Sequence, residues 1–138
     1  MTAEGQSPRD QGLEFLRQGL IEQGIEALKQ ALELDPSDPQ IYLYLGLAYF
    51  RQDDLENVIE ILEKAIDVAP TSPQIHYNLG VAYQKAHNST LAKDEYLRAL
   101  GLDPSYSAAK QALEQLTAAQ EQEMMKPPDD SGEAPAEA

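Results

Sequence analysis

The chain repeats itself every 34 residues, and this period constrains its fold more than any other feature. YLGLAYFRQDD at residues 44–54 returns as NLGVAYQKAHN at residues 78–88. On that period the chain divides into segments 5–38, 39–72 and 73–106. Leu45 then matches Leu79, Gly46 matches Gly80, Ala48 matches Ala82, Tyr49 matches Tyr83, Ala65 matches Ala99 and Pro70 matches Pro104. The first segment keeps the pattern at Gly12, Phe15, Ala31, Leu32 and Pro36. Such a repeat marks a unit that cannot bury its own apolar face and must stack on its neighbours.

Each segment has room for two helices of about 12 to 15 residues, close to the usual globular length. Ser7-Pro8, Asp38-Pro39 and Ser72-Pro73 pair a capping residue with a proline at the first helical position. Asp35-Pro36, Ala69-Pro70 and Asp103-Pro104 end the second helix of each unit. Leu55, Ile59, Leu62 and Ile66 recur at helical spacing, and no stretch alternates like a strand, so the fold class is all-α. An interior glycine costs a helix about 1 kcal/mol relative to alanine, so Gly46 and Gly80 at matching places predict close helix contacts.

Composition bounds the function. With 138 residues the chain has room for one domain, and its formal net charge of -14 argues against nucleic acid or an anionic membrane as partner. The absence of cysteine removes disulfides and thiolate metal sites. MTAEGQSPRDQG does not read as a secretory signal, and no stretch approaches the ~20 apolar residues of a membrane span, so a cytoplasmic location is expected. Asn88-Ser89-Thr90 then reads as a polar turn rather than a glycosylation site.

The L-G-x-x-Y, A and P residues above, on a 34-residue period, resemble the tetratricopeptide repeat family. The resemblance implies an α-solenoid of three helix-turn-helix repeats over 5–38, 39–72 and 73–106. Departures are Pro8, Tyr42 and His76 where tryptophan is common, Gln11 for leucine, Gly24 and Val58 for a small alanine, and Leu62 for an aromatic. Gly12, Gly46, Tyr49, Ala65, Gly80, Tyr83 and Ala99 are its structural signature. Residues 105–125 place Glu114 where a fourth glycine would stand, yet keep an apolar stripe of Tyr106, Ala109, Leu113 and Leu116; they resemble the family's C-terminal solvating helix. Residues 126–138 are rich in proline and acids and are expected to be disordered.

Candidate chemistry is sparse. The sequence has no nucleophile elbow, phosphate loop or H-E-x-x-H motif. His76 and His87 are 11 residues apart on a helix and its following turn, and a packing role fits His76 better than a ligand role. Asp53-Asp54, Asp94-Glu95 and Asp129-Asp130 read as solvated carboxylates. A non-enzyme without cofactor or metal is expected.

In the family the first helices of successive units line a concave groove. Carried over residue by residue, that groove contains Gln40, Leu43, Leu47, Phe50 and Arg51 from the second unit. The third adds Gln74, Tyr77, Val81, Gln84 and Lys85, and the first adds Gln6, Arg9, Leu13, Leu16 and Arg17. Gln6, Gln40 and Gln74 form one ladder and Arg17, Arg51 and Lys85 another, although cations at helix C-termini are also favoured by the helix dipole. The two-carboxylate clamp known in the family needs Lys and Asn, then Asn, then Lys and Arg, where this chain has Arg9, Leu13, Tyr44, Gln74 and Asn78. The groove is instead apolar with a basic edge. The expected partner is a protein or peptide segment with apolar anchors and some acids, held by a non-enzymatic adaptor. The alternative is a self-associating building block that buries the same surface in a homo-oligomer.

Overall fold

The computed structural model describes residues 5–128. They form seven helices: α1 (Pro8–Arg17), α2 (Ile21–Leu34), α3 (Pro39–Arg51), α4 (Leu55–Val68), α5 (Pro73–Lys85), α6 (Ser89–Leu102) and α7 (Ser107–Met125). No strand occurs among the described residues. The helices pair as antiparallel hairpins α1–α2, α3–α4 and α5–α6, each stacked on the next, with α7 closing the end against α6.

Local chemistry sets the helix ends. The side chains of Ser7, Asp38 and Ser72 accept hydrogen bonds from the backbone N–H groups of Asp10, Gln40 and Ile75, and a proline follows each cap. α1 has 10 residues against 13 in α3 and α5, because Pro8 stands three residues later in its repeat than Pro39 and Pro73. Gln6 therefore precedes the helix and does not complete a glutamine ladder with Gln40 and Gln74.

The turn inside each hairpin also repeats. Gly19, Asp53 and His87 stand one period apart and all have positive φ, 80°, 57° and 63°. In each turn the next residue's N–H reaches back five residues, from Leu20 to Phe15, Asp54 to Tyr49 and Asn88 to Tyr83, the bonding of a Schellman motif. Asp54 and Asn88 then cap α4 and α6 through their side chains, whereas Leu20 gives α2 no such cap.

Packing follows from the glycines. A Cβ placed on Gly80 would lie 2.6 Å from Tyr96 Cε1, and one on Gly12 would lie 2.5 Å from Leu28 Cγ, distances that real side chains do not tolerate. The first hairpin is tight from both sides, since a Cβ on Gly24 would lie 2.6 Å from Leu16 Cδ2. Gly46 is looser, with Leu62 Cδ2 at 3.2 Å. One apolar core runs from α1 to α5, from Leu16 and Leu28 through Ile41, Leu45, Val58 and Leu62 to Ile75, Leu79 and Ala82. A second cluster of Ala92, Tyr96 and Leu116 joins α6 to α7.

α7 matches the expected solvating helix. Ala109 and Leu116 are buried, Leu113 is half-buried, and the Tyr106 ring lies 5.7 Å from that of Tyr77. Glu114, Gln115 and Glu121 are exposed, whereas Gln120 is half-buried. The expectation of disorder over 126–138 lies largely outside the described residues.

The two glycine environments separate in a substitution test. Gly80→Ala drives a methyl into the buried Tyr96 ring and should lower stability by about 1–3 kcal/mol. In Gly46→Ala, Leu62 can yield, and the gain of about 1 kcal/mol in helix propensity should leave the melting midpoint unchanged or raised. Thermal melting checks both; an unchanged midpoint for Gly80→Ala would show that the Tyr96 ring moves aside.

Candidate functional site: an apolar cavity between the second and third repeats

Between α3 and α5 the concave surface opens into a cavity of about 250 Å³. Leu43, Leu47 and Phe50 form one wall, and Tyr77 and Val81 form the other. These are the five apolar groove positions read from the second and third repeats. None is fully buried in the core, and Leu47 is 42% exposed.

The floor is a feature that the sequence reading did not assign. Val58 and Leu62 of α4 close the cavity from below, and Asn78 supplies its polar edge. The signal was present in the departure of Leu62 from an aromatic. One period later Tyr96 stands in the place of Leu62, in a cluster with Ala92 and Leu116 against which Tyr77, Val81, Ala112 and Leu113 pack. The Tyr96 hydroxyl donates to Gln84 Oε1 at 2.6 Å, and its ring lies 5.9 Å from that of Tyr77. The shorter Leu62 leaves open the space that Tyr96 fills in the next repeat.

The remaining groove positions sit apart from this cavity. Gln40 and Gln74 are exposed at the starts of α3 and α5, Leu13 is half-buried on α1, and Leu16 is buried in the core. Gln84 is engaged by Tyr96.

The cations act between repeats. Arg51 Nη1 donates to the carbonyl oxygen of Leu16 at 2.9 Å, so a side chain of the second repeat caps the end of α1. Lys85 Nζ lies 5.4 Å from the centroid of the Phe50 ring, a cation–π contact from α5 to α3 at the cavity rim. Arg9 Nη1 meets Asp38 Oδ2 at 2.8 Å, and this hydrogen bond raises the Arg9 pKa further above its ordinary value. Arg17 is exposed and only 3.7 Å from Glu14. Arg9, the one residue suited to a carboxylate clamp, is thus already paired with an acid.

His76 is buried, as its position suggested. Its Nδ1 lies 2.7 Å from Glu95 Oε2 and its Nε2 lies 3.0 Å from the Pro70 carbonyl oxygen, while Arg98 contacts the other Glu95 oxygen. Tyr42 makes the equivalent junction one repeat earlier, donating to the Pro36 carbonyl at 2.6 Å. Among the described residues no group of His, Asp and Glu is arranged to hold a metal ion, and no helix is long and apolar enough to cross a membrane.

Sequence comparison agrees with this architecture. The pattern described as TPR repeat matches residues 12–53 and 52–86, and that described as Tetratricopeptide repeat matches residues 73–106. The chain belongs to the tetratricopeptide repeat family. Comparison with curated proteins finds no match. Among solved structures it is similar to the first TPR of Spaghetti (RPAP3) bound to the HSP90 peptide SRMEEVD, with 21% identity, TM-score 0.77, and coverage of 83% of this chain and 90% of that one. The second TPR domain of human RPAP3, in complex with the HSP70 peptide SGPTIEEVD, has 21% identity, TM-score 0.75 and coverage of 80% and 92%. MamA has 24% identity and TM-score 0.75, with 83% of this chain covering 62% of MamA. At these identities the likeness is one of fold.

Two features of this tetratricopeptide repeat domain can be tested by stability. Removing the Arg51 cap in Arg51→Ala should cost about 1 kcal/mol by leaving the Leu16 carbonyl without its guanidinium, read as a lower urea midpoint. Burial pushes the Tyr96 hydroxyl up to about 12, whereas the unfolded chain releases that proton near pH ~10. The stabilisation is complete below pH ~10 and is lost as pH rises towards 12, on the order of 2 kcal/mol. Tyr96→Phe should therefore flatten the alkaline fall in stability; an unchanged slope would place the titrating group elsewhere.

Proposed function

We propose that the protein is a non-enzymatic adaptor that holds a protein or peptide segment in the cavity between its second and third repeats. The observation that carries this reading is the cavity itself, with five apolar wall residues left available on the concave side of α3 and α5. An exposed apolar concavity on a folded chain is a place where a partner's side chain leaves water. Spaghetti and human RPAP3 hold acidic chaperone peptides on the same fold. This chain differs at the clamp, with Leu13, Tyr44, Gln74 and Asn78 in place of polar and basic groups and Arg9 paired with Asp38. Its partner is read as an extended or helical segment with apolar anchors, flanked by acids that face Lys85.

Magnitudes assign the roles. Burying an apolar anchor against Leu47 and Phe50 is worth about 1.5–3 kcal/mol, whereas a solvent-exposed ion pair yields about 0.2–1 kcal/mol. Apolar contacts then set how long a partner stays, and Lys85 acts on encounter.

The test uses a short synthetic acidic peptide with leucine anchors, beside a counterpart with alanine in their place. The leucine peptide should bind and shift the amide resonances of α3 and α5, and the alanine peptide should not. Phe50→Ala should speed dissociation, Lys85→Glu should slow association and weaken its salt dependence, and Leu62→Phe should fill the cavity and block binding without loss of helicity. Resonance shifts confined to another face, or equal binding by Leu62→Phe, would move the site away from the cavity.

A further inference from the structure

The end of α7 is an apolar feature that serves neither the core nor the cavity. The last buried residue of α7 is Leu116, yet the helix continues to Met125. At about 1.5 Å per residue, this places the helix end roughly 13 Å past its anchor. Met124 and Met125 are 84% and 82% exposed, the most exposed large apolar side chains among the described residues. Glu121 and Glu123 precede them, and residues 117–138 hold six acids against the single Lys126.

We propose that this methionine end of α7 seats in the α3–α5 cavity of a second copy of the chain, so that the protein assembles head to tail. The proposal rests on the cavity being a binding site, as read above. The two surfaces are complementary. Methionine is unbranched and flexible and fills irregular apolar space, which suits a cavity walled by Leu47, Phe50 and Tyr77. The acids around the methionines meet Lys85, which stands over Phe50 at the rim. The chain's own cavity is out of reach for these side chains, because they stand on one continuous helix held to α6 through Ala109 and Leu116. Two different patches are joined, so each added copy leaves one cavity and one helix end free, and growth continues beyond a dimer. The contact is small and partly electrostatic, so association is weak and falls with salt.

Sedimentation of the full chain at rising concentration tests this. The mass should grow past that of a dimer and fall back at high salt. Met124→Glu combined with Met125→Glu removes the end, and Leu47→Glu, at an exposed position, blocks the cavity; each variant alone should stay monomeric. Mixed together they should form a dimer and nothing larger, because one supplies only a cavity and the other only an end. Leu62→Phe serves as a second cavity block should Leu47→Glu lose its circular dichroism. The proposal is overturned by a full chain that stays monomeric, by a mixture that stays monomeric, or by wild-type growth that halts at a dimer. A monomeric chain that still binds the acidic leucine peptide would end the assembly proposal alone. A chain that binds neither that peptide nor a labelled peptide of residues 117–138 would end the cavity reading with it.

Discussion

The close approach of the two helices in each hairpin governs the rest of the molecule. It depends on a hydrogen atom in place of a side chain at Gly12 and Gly80, which face Leu28 and Tyr96 of the second helix, while Gly46 meets Leu62 at a looser distance. The helix-propensity cost of such a glycine is offset only because the hairpin contact it permits buries Leu28 and Tyr96 almost completely. Once the hairpins are that narrow, stacking can proceed at a constant period, and the first helices come to lie side by side along one face. The concave surface is a consequence of the glycine contact rather than a separate feature.

The same contact shapes the floor of the cavity. The facing residue is a tyrosine in the third repeat and a leucine in the second, so the third is filled and the second is not. A local substitution in the core thus becomes a depression on the surface. The first repeat also carries a leucine, Leu28, at this place, so the tyrosine sets the third repeat apart from the other two.

Much of the fold was legible in the sequence because period, proline and capping residues act locally. Ser7, Asp38 and Ser72 cap helices through neighbours in their own turn, and the 34-residue step carries one hairpin onto the next. The walls of the cavity were legible for the same reason, as Leu43, Leu47, Phe50, Tyr77 and Val81 recur at fixed helical positions. What escaped depends on contacts between units. Arg51 looked like a groove cation, but its charge ends on the Leu16 carbonyl 35 residues earlier. Glu95 looked like half of a solvated acidic pair, but it is buried against His76 across the hairpin. Leu62 looked like a mild departure, and its effect appears only when its size is set against that of Tyr96. The left-handed turns at Asp53 and His87 carry no glycine, and only Gly19 one period earlier announces them.

The cations of the concave face show how charge is used in so acidic a chain. With a formal net charge of -14, the field at a distance repels an acidic segment, but at physiological salt that field decays over about 8 Å. Arg9 is spent on Asp38 and Arg51 on the end of α1, so the seams between repeats hold cations whose positions are fixed by structure. Lys85 is held over Phe50 by the ring rather than by a carboxylate, and so keeps its charge available at the cavity rim. An acidic segment is therefore attracted only at short range and at one edge of the cavity. In the proposed adaptor, charge selects the direction in which such a segment lies, and the apolar walls decide whether it stays.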